Sequence, residues 1–177
     1  AVQVLDAGQP TNQLNNGSET GFAVQSYFAR VNYNLNDKYL LEANVRRDGS
    51  SRFLKDKWGV FPSFSAGWIM SEEDFISSFT AIDFLKIRAS WGELGNANVP
   101  NFAFNKSLSL TEGYSFGGVI VPGVGQSSLG NENLSWEKAT STNFGVNLVL
   151  NNGLGIDFDL FNRETSDILF DLPVNVL

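Results

Sequence analysis

The sequence predicts an all-β protein, an antiparallel up-and-down sheet of about six main strands. Three observations carry this. Apolar and polar residues alternate with period two in six separate stretches. Clusters of Gly, Asn, Asp and Ser punctuate the chain between those stretches. The composition, with 13% aromatic residues, 15 Phe and 17 Gly, favours strands over helices.

Residues 1–24 are rich in Gly, Asn, Gln, Ser and Thr and read as a long loop, not as a signal peptide, because no cationic start or apolar run is present. "QSYFARVNYNL" then places Tyr27, Ala29, Val31, Tyr33 and Leu35 on one face against Ser26, Phe28, Arg30, Asn32 and Asn34. "NDK" at 36–38 is a short turn, and "YLLEANVRRD" returns with Tyr39, Leu41, Ala43 and Val45 against Leu40, Glu42, Asn44 and Arg46. Residues 49–58 form a polar loop. The next strand, 59–70, sets Val60, Pro62, Phe64, Ala66 and Trp68 against Phe61, Ser63, Ser65 and Gly67.

"SEEDFISSF" at 71–79 breaks the alternation. Ser71 followed by Asp74 resembles a capping box, which predicts a short helix whose Glu72, Glu73 and Asp74 suit the positive end of its dipole. "FLKIRASWG" resumes with Leu85, Ile87, Ala89 and Trp91 against Lys86, Arg88 and Ser90. Residues 93–133 read as a second long connection, with a short strand pattern in "FAFNKSLSL". "LSWEKATSTNFGVNLVL", the turn "NNG" at 151–153 and "LGIDFDLFNRETSDILF" close the series.

Short and long connections alternate along this series. Outer-membrane barrels keep short turns on the periplasmic side and long loops outside. A soluble meander has no physical reason to separate the two. The polar faces carry Arg30, Glu42, Arg46, Lys86, Arg88, Glu137, Asp157, Asp159 and Arg163 in mid-strand. Such charges do not fit inside a small closed barrel, but they suit a wide hydrated lumen. The apolar faces place Tyr33, Tyr39, Trp68 and Trp91 toward strand ends, as aromatic girdles do. Patterning favours the membrane reading. It leaves open a soluble sheet with one wet face, such as a carbohydrate-binding or adhesion domain.

Several functions are excluded. The chain has no His and no Cys, so zinc sites with those ligands, Ser-His-Asp triads and disulfides are impossible. Its 19 acidic against 12 basic residues, with no basic stripe, argue against nucleic acid. "GELGN" and "GVGQSS" match no phosphate-binding fingerprint and read as turns. Asp157 and Asp159 share a strand face. Such a pair could serve a glycosidase or a calcium site, but a polar lumen wall is the better reading. No catalytic residue, cofactor or resident metal is expected.

"SYFARVNYNLNDKYLLEANVRRDGSSRF", "WGVFPSFSAGWIMSEEDF", "LKIRASWGELGN" and "NENLSWEKATSTNFGVNLVL" resemble the barrel of the SusC/RagA family of TonB-linked outer-membrane transporters, over about Gln25 to Phe170. The resemblance turns Phe64, Ala66 and Trp68 to lipid and Ser63, Ser65 and Gly67 to the lumen. It implies that residues 1–177 are an open part of a large transmembrane β-barrel in a bacterial outer membrane, with 1–24 and 93–133 as extracellular loops. The plug and the TonB-contacting segment are expected outside this sequence. It further implies energy-coupled uptake of an oligosaccharide or peptide, and a SusD-like surface lipoprotein as partner.

Candidate contacts to substrate or partner follow from position. Arg46 and Asp48 end a strand at the loop side of the lumen, where they could touch substrate, although an ion pair between them is the better reading. Trp58, Phe102, Phe104, Tyr114 and Phe116 lie in or beside the long loops, where they suit sugar stacking, a partner surface or plain loop packing.

Overall fold

The computed structural model describes residues 19–170. Its strands are β1 (Val24–Leu35), β2 (Tyr39–Ser50), β3 (Trp58–Ile69), β4 (Ile82–Asn96), β5 (Ser107–Phe116), β6 (Val119–Ser128), β7 (Glu137–Leu150) and β8 (Gly155–Ser166). Six form one antiparallel sheet in the order β1-β2-β3-β4-β7-β8. Each neighbour in this sheet is the next main strand in sequence, as an up-and-down barrel wall requires. β1 and β8 are open edges of this sheet.

The register explains why the alternation survives across the sheet. Val31 pairs with Ala43, and Ala43 with Phe64. Phe64 in turn faces Trp91. Farther along, Trp68 meets Ile87, Ile87 meets Val146, and Val146 meets Phe158. Every partner lies on the same face as its neighbour, so one face is apolar from edge to edge. That face is not a core. Val31 is 67% exposed and Phe64 55%, and Leu41 and Phe158 are exposed as well. Ile87 and Val146 are half-buried. A soluble domain would bury this face, and its exposure removes that alternative.

The turns obey local chemistry. Asn36 and Asp37 both take φ 55°, as a two-residue type I′ hairpin demands, and Lys38 N donates to Leu35 O at 3.1 Å. In the 151–153 turn, Gly153 takes φ 82°. These turns and the 70–81 link lie at one end of the sheet, and the longer connections lie at the other.

Three boundaries differ from the expectation. The first loop is shorter, 51–57, because β2 runs to Ser50 and β3 starts at Trp58. Residues 93–133 are not one irregular connection. β4 extends to Asn96, and β5 and β6 form a separate two-stranded ribbon around Gly117 and Gly118, at φ 58° and 83°. β8 ends at Ser166, where Asp167 takes φ 54°, rather than running to Phe170. Of the 1–24 loop, residues 1–18 lie outside the described residues.

The capping box is not formed. Met70–Glu72 is a 3₁₀ turn, and the helix α1 covers only Asp74–Ser77. Its N-cap is Glu73, which makes no capping bond. Ser71 Oγ is buried without a partner. The reason lies in Glu73. Its carboxylate accepts hydrogen bonds from Tyr39 Oη at 2.7 Å, Trp68 Nε1 at 3.2 Å and Lys38 Nζ at 3.4 Å. The acid that sequence assigned to a helix dipole instead ties this segment to the rim of the sheet.

Candidate lumen wall and loop-end cluster

The polar face is laced by cross-strand contacts. On β1 and β2, Arg30 Nε donates to Asn44 Oδ1 at 2.7 Å, and Asn44 Nδ2 donates to Glu42 Oε1 at 2.7 Å. Farther up β2, Arg46 Nε donates to both Asp48 oxygens at 2.8 and 2.7 Å. Across β4, β7 and β8, Arg88 Nη2 reaches Asp159 at 2.6 and 2.8 Å, while Arg88 Nε meets Asn147 Oδ1 at 3.3 Å. Asn147 Nδ2 passes the chain on to Asp157. Asp157 and Asp159 are thus each engaged separately, and no metal-holding cluster is found among the described residues. An open hollow of about 460 Å³ on this face is lined by residues that include Glu42, Ser65, Lys86, Arg88, Ser90 and Asn143.

Among the described residues, the buried hydrophobic cluster lies at the loop end. Phe53 is 0% exposed and packs with Phe61, Val99 and Trp136. Trp136 stands 5.3 Å from Phe53 and 5.4 Å, edge-on, from Phe61. Phe61 points to the lumen side by parity with Ser63 and Ser65. Glycines make its room: a Cβ at Gly95 would fall 1.9 Å from its ring, and one at Gly59 2.4 Å. Trp136 Nε1 donates to Lys57 O at 3.3 Å, and Arg52 bonds Ala97 O and Asn101 Oδ1, both at 3.0 Å. The motifs "DGSSRF" and "NLSWE" therefore meet in space. Phe53 from one and Trp136 from the other clamp the loops together. Sequence reasoning missed this cluster, although Phe61 among small polar residues was its signal.

The candidate contacts separate into groups. Arg46 and Asp48 form their ion pair at the upper polar face, and Asp48 is buried. Phe102 and Phe104 meet edge-on at 6.3 Å in the 97–106 connection. Tyr114 and Phe116 pair at 5.0 Å on the ribbon, both exposed. Among the described residues no ring contact joins these two aromatic pairs. Trp58 stands on the other face of the sheet from Arg46 and Asp48. It stacks on Tyr27 at 6.0 Å, below the cation of Arg47.

Tyr27 and Trp58 mark one level of the apolar face, and the stacked pair Tyr39 and Trp68 marks the other. Ten residues separate Trp58 from Trp68 on β3. At ~3.4 Å per residue and a tilt near ~45°, that spacing spans ~24 Å of membrane normal. The apolar band of an outer-membrane barrel is ~25 Å tall between its aromatic girdles.

An open antiparallel wall with one ion-paired face and one girdled apolar face is a segment of an outer-membrane β-barrel. The chain matches the family described as TonB dependent receptor-like, beta-barrel, over residues 2–177, and it belongs to that family. It is 37% identical over 177 residues to the TonB-dependent receptor P39 of Formosa agariphila, covering 98% of this chain and 17% of that protein. To the TonB-dependent receptor SusC of Bacteroides thetaiotaomicron it is 37% identical over 157 residues, covering 85% of this chain and 16% of that one. The structure of the RagAB peptide transporter superposes with a TM-score of 0.74 at 30% identity, over 86% of this chain and 17% of that one. The RagAB peptide importer in the open-open state gives 0.75 at 27% identity, over 98% and 19%. The chain thus spans about a sixth of the length of the curated relatives it matches.

Proposed function

We propose that this chain is a wall segment of an outer-membrane importer that takes up an oligosaccharide or peptide by TonB-coupled transport. The observation that carries this reading is the segregation of the two faces: ion pairs on one, an exposed apolar belt with two aromatic levels on the other. The peptide option is supported by the likeness to the RagAB peptide transporter. A SusD-like lipoprotein would cap the loop end, where Arg46, Asp48, Phe102, Phe104, Tyr114 and Phe116 are the candidate contacts. The TonB-contacting segment and the plug would be supplied outside the 177 residues. In this arrangement the long connections face outward and the turns at 36–38 and 151–153 face the periplasm.

The test is genetic and nutritional. Cells lacking the full protein should lose growth on one oligosaccharide or peptide mixture as sole source, and should regain it with the gene restored. Unchanged growth on every such source would refute the importer reading. Sidedness has its own check. An impermeant thiol reagent should label Ser51→Cys in intact cells and leave Asn152→Cys unlabelled.

A further inference from the structure

We propose that Arg47, Trp58 and Tyr27 form a binding site for the phosphate of an outer-leaflet lipid headgroup. The proposal rests on the reading above, in which the apolar face meets lipid and the loop end lies outside.

Arg47 is a cation on the wrong face. Its parity sets it among Val45, Val60 and Tyr27, with which Val60 and Tyr27 are its direct cross-strand partners. A charged residue on the lipid face is tolerated only near the headgroups. The direction of the side chain agrees. The Arg47 backbone pairs two residues nearer the turn end than Trp58, yet its guanidinium carbon lies 4.7 Å over the Trp58 ring. The chain therefore runs up the strand toward the loop end, as a snorkelling side chain does.

Among the described residues the charge has no paired anion. Arg30, Arg46 and Arg88 each pair with a carboxylate, whereas among the described residues none lies within 4.0 Å of Arg47. What surrounds it is a set of donors on a fixed platform. Trp58 lies flat against Gly49, where an added Cβ would come within 2.9 Å of the ring. Tyr27 stacks on Trp58, and its hydroxyl accepts from Gln25 Nε2 at 2.6 Å, which leaves its own proton to donate. The guanidinium lies over the indole and the phenol ring stacks on the same indole, so three donor-bearing side chains share one patch with no carboxylate paired to Arg47 among the described residues. That set recognises an anion with several oxygens, and a phosphate ester fits it best.

The other girdle makes the contrast. There Tyr39 and Trp68 spend their donors on the carboxylate of Glu73. The same aromatic pair carries a fixed acid at the turn end and an unpaired cation at the loop end. A headgroup phosphate is therefore drawn to one leaflet only.

The test uses the full-length protein, purified from membranes, stripped of lipid and examined by native mass spectrometry. The probes are a lipid A with a phosphorylated glucosamine headgroup, the same lipid dephosphorylated, and inorganic phosphate. The phosphorylated lipid should bind, and Arg47→Gln should weaken it roughly tenfold, the loss expected for a charged hydrogen-bonded contact. Arg47→Lys should keep part of the binding, and Arg88→Gln on the opposite face should keep all of it. Equal binding by Arg47→Gln, equal binding of the dephosphorylated lipid, or displacement by millimolar inorganic phosphate would each overturn the site. A spin label at Val31 or Phe158 reports separately on the parent reading. Lipid contact there with no headgroup selectivity sinks only the site, and no lipid contact there sinks the barrel face itself.

Discussion

Arg88 and Asp159 reach each other over the top of Gly145. The three residues are aligned in register on β4, β7 and β8, and the ion pair spans a whole strand at 2.6 Å. A side chain at position 145 would have to push both partners aside. A Cβ at position 145 would stand 2.7 Å from Arg88 Cζ and from Asp159 Oδ1. Gly145 is thus the bed on which this ion pair crosses β7.

Gly145→Val should therefore open the pair. Because both partners are about half exposed, the electrostatic loss itself is small, on the order of 0.2–1 kcal/mol. Arg88→Gln and Asp159→Asn should each show a loss of that size in urea unfolding of the lipid-reconstituted protein. Gly145→Val should exceed both, because it adds steric displacement of two side chains. A valine variant as stable as the parent would contradict the bridging geometry.

The two faces should differ in their tolerance of charge. Ile87 sits between Trp68 and Val146 on the apolar face, one residue from Arg88 on the polar one. Arginine on the lipid face costs ~2–4 kcal/mol at the midplane and ~0–1 kcal/mol near the interfaces, and Ile87, paired with Trp68 at the turn-end girdle, falls toward the lower figure. Ile87→Arg should lower the yield of assembled protein in the outer membrane, and Arg88→Ala should not. Equal yields would argue against a lipid contact at position 87.

The loop-end core should hold its loops as one unit. Truncating a fully buried Phe costs ~3–5 kcal/mol. Phe53→Ala should speed amide exchange in 51–57 and in 131–136 together, since Phe53 touches Trp136 across them. Faster exchange confined to 51–57 would mean that the clamp does not couple the loops.

Acid should release the turn-end tie. The hydrogen bond from Tyr39, then that from Trp68, holds the Glu73 carboxyl below the usual glutamate range, with Lys38 adding to it. A lowered folded-state value stabilises above the unfolded one and is lost as pH falls through the folded one. The stability of the 70–81 link should thus be flat near neutrality and fall only below the ordinary glutamate value. In Glu73→Gln, fluorescence of a 5-fluorotryptophan at position 68 should lose that acid transition. Persistence of the transition would assign it to another group.

Much of the wall is legible in the sequence because a period of two is a one-parameter pattern. Once Val31, Leu41, Phe64, Ile87, Val146 and Phe158 are given parity, the register follows from matching faces. Asn36-Asp37 and Asn151–Gly153 follow from turn chemistry. The ribbon does not follow in this way: its Gly117-Gly118 turn lies inside a connection that reads as one loop, and "GVGQSS", which reads as a turn, belongs to β6. What the sequence does not give is contact between distant segments. Nothing local says that Phe53 meets Trp136, or that Glu73 bonds Tyr39 rather than capping a helix. Trp58 shows the same limit. Its place beside a loop suggests the loop's business, whereas its even parity puts it in the belt.

The central claim is that the apolar face meets lipid and the polar face meets water. It is tested most directly by site-directed spin labelling along 63–68 in the full-length protein reconstituted in liposomes. Collision with oxygen, which concentrates in the bilayer, is compared with collision with a water-soluble nickel chelate. Labels at Phe64, Ala66 and Trp68 should favour oxygen, and labels at Ser63, Ser65 and Gly67 should favour nickel, in strict alternation. Six positions with the same preference, or an alternation of the opposite phase, would contradict the account.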